Sequence, residues 1–98
     1  MNIGLIKQSE DDQFVYYRAF LDDIYEQQSN GSYKCISKYA MVKYYKNVPD
    51  LKYVWEETDP YFQEKKNRAD HMLALIFGRM NRYNREGSFP AEAGIATG

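Results

Sequence analysis

Three arginines near the C-terminal end of the sequence have the residue type and the spacing of a binding surface. In the segment GRMNRYNREG, residues 78–87, Arg79, Arg82 and Arg85 recur at every third position. On a helix this spacing places the three guanidinium groups toward one side. Guanidinium groups bind carboxylates and phosphates through several hydrogen bonds at once. The segment is therefore a candidate contact for an acidic protein partner or for nucleic acid.

Two further bases extend this candidate surface toward the N-terminus. At 100° per residue, Lys65 and Arg68 fall with the three arginines inside a sector of about 160°. No acidic residue lies between Asp70 and Glu86. Because acids three or four residues away normally neutralise such a face, the pattern indicates a basic face that is free to bind a partner.

A long C-terminal helix would present this face. The motif TDP, residues 58–60, is typical of a helix start, and Gly87 is typical of a helix end. Between them an apolar seam with one polar interruption recurs at spacings of three and four, at Phe62, Lys66, Ala69, Leu73, Ile76, Met80 and Tyr83. We predict a helix over about 60–85, about 39 Å long. A helix of that length could pair with a second copy through its seam.

The remainder of the chain up to the C-terminal tail also has helical patterns. Apolar residues at spacings of three and four follow Ser9 and three acids, which predicts a helix over 10–28. Shorter helices are predicted over 37–46 and 51–57. The sequence thus predicts an all-α fold, a small bundle of three to four helices with a long C-terminal helix, as one domain over 1–87.

One segment leaves an alternative open. In residues 32–48 the β-forming residues are frequent, and the apolar positions do not keep to one helical face. The alternative is an α+β fold with short strands in that segment. Residues 88–98 are rich in Gly and Ala and are expected to form a flexible tail in which only Phe89 and Ile95 could pack.

Charge and aromatic content suggest an interaction protein. The net charge is −1, and charge alternates in blocks, which carry −4 over 1–31, +4 over 32–53, −4 over 54–64, +5 over 65–85 and −2 over 86–98. Tyrosine and arginine often anchor interfaces, and the candidate partner-binding residues are Lys65, Arg68, Arg79, Arg82, Arg85, Tyr44 and Tyr45. A candidate acidic patch, which could occupy the basic channel of a partner, consists of Glu56, Glu57 and Asp59.

Catalysis and metal binding are not expected. A zinc site needs about four suitable ligands, and the chain has one cysteine and one histidine. Cys35 and His71 could form a nucleophile pair only if the fold brought them together. Phosphate-binding loops and nucleophile elbows are absent from the sequence. We expect no cofactor and no enzymatic activity.

Two functions remain, and the first is favoured. The first is a small protein-binding module that docks on a larger protein or protein–nucleic acid complex, as inhibitors from phages and mobile elements do, for example against CRISPR effectors. The second is direct nucleic-acid binding through the basic face of the last helix. The longest apolar run, residues 72–77, is too short to span a bilayer, so we expect a cytoplasmic protein, in the host cytoplasm if phage-encoded.

Overall fold

The fold is one antiparallel sheet with a long helix on one face. The computed structural model describes residues 1–48 and 53–97, apart from the side chains of residue 23 and residues 53–58. Along the chain the elements are β1 (Asn2–Glu10), β2 (Phe14–Gln27), β3 (Tyr33–Tyr45), β4 (Tyr53–Thr58), α1 (Tyr61–Glu64), α2 (Lys66–Glu86) and β5 (Glu92–Ala96). The strand order is β4-β3-β2-β1-β5.

The core lies between the sheet and α2. Alternate residues of a strand point to opposite faces, and one set of residues from each of β1, β2, β3 and β5 is buried under the helix. The sheet contributes Ile3, Leu5, Val15, Tyr17, Ala19, Leu21, Ala40, Val42, Tyr44 and Ile95, and α2 contributes Ala69, Met72, Ile76, Met80 and Tyr83. The sheet therefore covers four residues of the predicted seam, Ala69, Ile76, Met80 and Tyr83, whereas Leu73 is half-buried and Lys66 is exposed.

The all-α prediction is wrong, and its first helix shows why. Residues 14–27 of the segment 10–28 form β2, which pairs with β1 and β3. The acids that the sequence predicts in a first helical turn lie instead at the β1–β2 hairpin turn. There, Asp11 Oδ1 accepts the backbone N–H groups of Gln13 (2.7 Å) and Phe14 (2.9 Å). A short acidic side chain caps a turn as readily as a helix.

The other two short helices are also replaced by strands. The segment 37–46 falls almost entirely in β3. The alternative α+β prediction has short strands within 32–48, and the structure has this single long strand there. Of the segment 51–57, residues 53–57 belong to β4, and residues 51 and 52 lie outside the described part of the chain. The chain is a sheet with two helices rather than a helical bundle.

The C-terminal region combines a helix with a further strand. The long helix is present as α1 and α2, and Gly87 ends it in a left-handed conformation (φ 79°) with its N–H 2.8 Å from the carbonyl of Tyr83. The segment 88–98, expected to be a flexible tail, contributes β5, whose Ile95 pairs with Ile3 of β1. Pairing with β1 and burial of Phe89 and Ile95 join this segment to the domain.

The hairpin of β2 and β3 extends beyond its neighbours. β1 pairs with β2 as far as Leu21, and the described pairing of β4 with β3 begins at Ala40. Residues 22–38 therefore extend beyond the paired parts of β1 and β4 as a two-stranded segment, which we call the arm. Its base contacts the body, since Ile24 packs against the core and Lys38 lies 3.8 Å from Asp59. The described residues measure 50 × 24 × 22 Å along their principal axes, in keeping with this extension. Neither described helix is apolar and long enough to cross a lipid bilayer.

Candidate functional site

One face of the sheet carries aromatic and basic side chains on the side opposite α2. We call this cluster the outer face, and it consists of alternate residues of β2 and β3: Phe14, Tyr16, Arg18, Phe20, Tyr39, Met41, Lys43 and Tyr45. None of these eight belongs to the core that lies beneath the helix. The outer face is therefore a surface of the folded domain that another molecule can contact.

The strand register arranges the outer face in four rows across β2 and β3. The opposed pairs are Phe14 with Tyr45, Tyr16 with Lys43, Arg18 with Met41, and Phe20 with Tyr39. Opposed side chains in an antiparallel pair lie about 5 Å apart at Cβ, so the two residues of each row are neighbours. β1 adds Ile6 beside Arg18, and Ile6 is 41% exposed. Arg18 thus lies in the interior of the face with an apolar neighbour on each side.

Both cations of the outer face lie against aromatic rings. Lys43 Nζ is 4.3 Å from the ring centroid of Phe14 and 5.9 Å from that of Tyr45. Arg18 Cζ is 5.6 Å from the ring centroid of Tyr39. The quadrupole of an aromatic ring attracts a cation over its face. A partner would therefore meet these two charges in fixed positions.

Much of the outer face is partly shielded from water. Met41 is only 5% exposed although it lies outside the core, whereas Tyr39 is 40% exposed. The rings of Phe14 and Tyr45 pack with 6.3 Å between their centroids. Side chains that are already packed lose little rotational freedom when a partner binds, which lowers the entropic cost of docking.

Acidic residues at the margin offset the two cations. Asp22 lies two residues after Phe20 on β2, and its Oδ1 accepts a hydrogen bond from Ser37 Oγ (2.6 Å). Glu92 of β5 lies opposite Ile6 and so shares its face. The charges are therefore mixed, as in many protein–protein interfaces, and do not form the basic stripe that marks most nucleic-acid sites.

The arginines that the sequence singles out make contacts within the fold. Arg79 Nη1 donates a hydrogen bond to the carbonyl oxygen of Gly94 (3.2 Å) at the free edge of β5. Arg82 Nε lies 3.7 Å from Glu86 Oε1, one turn further along α2. Glu86, at the end of α2, thus neutralises part of the face on which the sequence predicts bases without acids.

Two of the remaining predicted bases, Lys65 and Arg68, lie apart from Arg79 and Arg82. Lys65 joins α1 to α2 with a non-helical backbone (φ −107°, ψ 60°), and Arg68 is half-buried in the first turns of α2. Arg68 and Arg79 are about 16 Å apart along the helix axis. Arg85 is exposed near the end of α2. The five bases therefore form two separated groups rather than one contact surface.

The two adjacent tyrosines point to opposite faces of β3. Tyr44 is buried, and its hydroxyl lies 2.9 Å from Asn81 Oδ1. Burial raises the pKa of the Tyr44 hydroxyl, so the group stays neutral in the core. Tyr45 is half-buried on the outer face. A partner can contact Tyr45 but not Tyr44.

The predicted acidic patch is described only at Asp59. Asp59 Oδ1 accepts the backbone N–H of Tyr61 (3.2 Å) and lies 3.8 Å from Lys38 Nζ. These contacts hold the beginning of α1, which is a structural role. Glu56 and Glu57 belong to β4, and their side chains lie outside the described part of the chain.

The cysteine and the histidine do not form a catalytic pair. Cys35 Sγ lies 2.9 Å from the carbonyl oxygen of Asp22 on the arm, on the outer-face side of the sheet. His71 is exposed on α2, which covers the other face. The sheet therefore separates the two side chains. Among the described residues, no group of three or more His, Cys, Asp or Glu side chains could hold a metal ion.

Of the predicted site residues whose side chains the structure describes, Tyr45 alone lies on the outer face. A signal for the rest was present as two alternating patterns, F-x-Y-x-R-x-F over residues 14–20 and Y-x-M-x-K-x-Y over residues 39–45. Such alternation indicates one face of a strand. The intervening residues are also mostly apolar, which hides the period of two.

The chain was compared with family models, with curated proteins and with solved structures, and none of them matched.

Proposed function

We propose that this chain is a small, non-enzymatic protein-binding module that docks through its outer face. The partner surface would be acidic at its centre and apolar around it. The observation that carries the proposal is the position of Arg18 and Lys43, two cations held against aromatic rings within a partly apolar sheet face. Aromatic residues, Met and Arg are the types most enriched at protein interfaces.

A second copy of this chain is a poorer occupant of the outer face. Two copies related by a two-fold axis would present the same surface to each other. Arg18 lies within the face, in the row formed with Ile6 and Met41, so the cations of the two copies would approach one another. Like charges brought together in an interface cost free energy. Carboxylates on a different protein would instead complement both cations.

Single-stranded nucleic acid is the second occupant that the aromatic rings could accept, because bases stack on such rings. Its affinity, however, comes largely from the neutralisation of several phosphates. The outer face has two cations with acids at its margin, and the whole chain has a net charge of −1. A protein partner is therefore the better match.

The proposal can be tested without knowing the partner. Random peptides displayed on phage are selected against the folded chain, and selected peptides are synthesised for fluorescence anisotropy. We expect them to combine Asp or Glu with apolar residues. The double variant Arg18→Glu/Lys43→Glu should bind them at least about tenfold more weakly, a loss of about 1.4 kcal/mol. Ala74→Gln, at an exposed position of α2, is the matched control and should bind normally.

Two results would contradict the proposal. The first is selected peptides that bind wild type and the double variant equally well. The second is micromolar binding of single-stranded DNA or RNA that weakens steeply with salt and is lost in the double variant, which would assign the outer face to nucleic acid.

We also carry forward the narrower prediction about the partner. It is a larger host protein, in or beside a nucleic-acid-handling complex, and the chain acts on it in the cytoplasm as an inhibitor or regulator of phage or mobile-element type. Affinity capture from the cells that carry the gene, with Arg18→Glu/Lys43→Glu as the negative control, tests this prediction. A specific partner that has no connection with nucleic acid would contradict it.

A further inference from the structure

The tip of the arm exposes two tyrosines to an unusual degree. Tyr25 is 67% exposed and Tyr33 is 68% exposed, compared with 40% for Tyr39 in the body. The register pairs Tyr25 with Cys35 and Gln27 with Tyr33, so the two tyrosines are diagonal neighbours on one face of the hairpin. Two large aromatic surfaces are thus presented together at the far end of the molecule.

The tip turn has a defined conformation. The N–H of Gln28 donates to the carbonyl of Ser32 (2.7 Å), and the N–H of Gly31 donates to the carbonyl of Gln28 (3.0 Å). Asn30 Oδ1 accepts from both the N–H and the hydroxyl of Ser32. Gly31 has φ 85°, which a residue with a side chain rarely adopts. The tyrosines are therefore carried by an ordered turn.

The base of the arm is also braced. The register shifts between Leu21 and Ile24, where β2 has one residue more than β3. At this bulge, Asp22 binds β3 twice, through its carbonyl to Cys35 Sγ and through its carboxylate to Ser37 Oγ. Bulges redirect a strand, and these bonds fix the direction. A preorganised arm loses little entropy on binding.

The chemistry of the tip suits a protein pocket. The segment YEQQSNGSY, residues 25–33, consists of Tyr, Ser, Asn, Gly and Gln with a single acid. Tyrosine gives large contact area at low entropic cost, and Ser, Asn and Gly give adaptable hydrogen bonds, which is the composition of antibody paratopes. Glu26 lies opposite Lys34, so the charges of residues 25–34 cancel and the tip would gain little from phosphates.

We infer that the arm is a second docking element, whose tip tyrosines Tyr25 and Tyr33 insert into a concave, apolar, uncharged pocket of a partner protein. This inference rests on the proposed function, because the arm is assigned to the same partner as the outer face. The two surfaces are continuous, since Tyr25, Tyr33 and Cys35 lie on the same side of the sheet as Tyr39. The arm adds length to the interface, about 20 Å for six strand residues.

Site-specific photo-crosslinking tests the inference with the whole chain. Benzoylphenylalanine replaces Tyr25, Tyr33, Tyr39 or, as a control, Ala74, and the chains are irradiated in extracts of cells that carry the gene. We expect Tyr25, Tyr33 and Tyr39 to crosslink to one protein and Ala74 to none. The Tyr25 and Tyr33 adducts should map by mass spectrometry to a cleft of that protein.

Affinity then measures what the tyrosines contribute. With the purified partner, Tyr25→Ala/Tyr33→Ala should weaken binding at least about tenfold, and Ala74→Gln should change it less than about twofold. Both tyrosines are two-thirds exposed, so the double variant should fold, and far-ultraviolet circular dichroism checks this.

Each contrary outcome has a separate meaning. Crosslinks from Tyr39 alone, or a double variant that binds within twofold of wild type, overturn the arm inference and leave the proposed function standing. Crosslinks from Tyr25 and Tyr33 alone support the arm and contradict docking through the outer face. Crosslinks from the arm to RNA or DNA overturn the inference in favour of nucleic acid, and the absence of any adduct overturns both.

Discussion

Arg79 Nη1 lies 3.2 Å from the carbonyl oxygen of Gly94, at the free edge of the sheet. Backbone hydrogen bonds on either side of the β1–β5 pairing join Met1 to Thr97 and Lys7 to Ala91. Because such pairs alternate in an antiparallel ladder, Gly94 directs its carbonyl away from β1. The guanidinium of Arg79 occupies this unpaired position. An arginine that the sequence suggests for a partner therefore protects a strand edge of its own domain.

Replacing this arginine should weaken the fold and expose the edge. For Arg79→Met we expect the free energy of unfolding to fall by about 1 kcal/mol, because the partly exposed guanidinium loses its hydrogen bonds to the Gly94 carbonyl and to the Tyr83 hydroxyl. We also expect concentration-dependent association, since an open edge can pair with another chain. Urea unfolding and light scattering after size-exclusion chromatography measure the two effects.

Arg85→Met is the matched control, because Arg85 is exposed on the same helix. It should leave stability within about 0.5 kcal/mol of wild type. Equal losses in the two variants would show that the Gly94 contact contributes nothing specific.

The buried hydroxyl of Tyr17 should make stability depend on alkaline pH. It donates a hydrogen bond to the carbonyl of Pro90, and burial raises its pKa well above the ordinary value for tyrosine. A group with a raised pKa in the folded state gives its full stabilisation below the unfolded pKa, about 10, and loses it as the pH rises further. The free energy of unfolding should therefore fall above about pH 10.

Tyr17→Phe isolates this contribution. At neutral pH the variant should be less stable by about 1 kcal/mol, because the hydrogen bond to Pro90 is lost. Above about pH 10 its stability should fall less steeply than that of wild type. Urea unfolding over that range measures both slopes, and identical slopes would refute ionisation of Tyr17 as a cause of alkaline destabilisation.

Glu10 should have the opposite pH dependence. Its carboxylate oxygens lie 2.7 Å from Lys46 Nζ and 2.8 Å from Lys7 Nζ, and these bonds, that of Lys46 first, hold the pKa of Glu10 below its usual value. A lowered folded pKa gives stabilisation that is present above the ordinary carboxyl pKa and is lost as the pH falls through the folded pKa.

Glu10→Gln should accordingly cost stability at neutral pH and little in acid. We expect a loss of about 0.5 kcal/mol near neutrality, since partly exposed ion pairs are screened by solvent. In acid below the folded pKa, wild type and variant should converge. Asp12→Asn, on an exposed residue of the same turn, is the control. A difference between wild type and Glu10→Gln that persists in acid would contradict the assignment.

The failure to predict β2 has a physical cause in the residues themselves. Phe14, Tyr17, Leu21 and Ile24 recur at helical spacings, although Phe14 lies on the outer face and Tyr17 in the core. A strand that is apolar on only one face would alternate with polar residues. Here both faces carry aromatic or aliphatic residues, so helical spacings arise by chance. The apolar residues of the outer face therefore hide the alternation that would identify β2 as a strand.

The C-terminal helix was easier to predict because its ends depend on nearby residues. Asp59 binds the N–H of Tyr61, and Gly87 adopts the left-handed conformation that ends α2. β5 depends instead on β1, and its Ile95 pairs with Ile3, far away in sequence. A segment rich in Ala and Gly has little strand propensity of its own. This segment therefore forms a strand only because it pairs with β1.

Two glycines, Gly78 within α2 and Gly87 directly after its end, should respond to alanine with opposite signs. Gly78 is exposed in the helix interior, and a Cβ there would meet nothing within 4 Å. Gly78→Ala should therefore stabilise the chain by about 1 kcal/mol, the difference in helix propensity. Gly87 also has free space around it, but its φ of 79° disfavours any side chain, so Gly87→Ala should destabilise by about 1 kcal/mol.

Because both variants add the same methyl group without a clash, backbone conformation alone separates them. Urea unfolding of the two variants measures the difference, and shifts of the same sign would contradict the left-handed cap that ends α2.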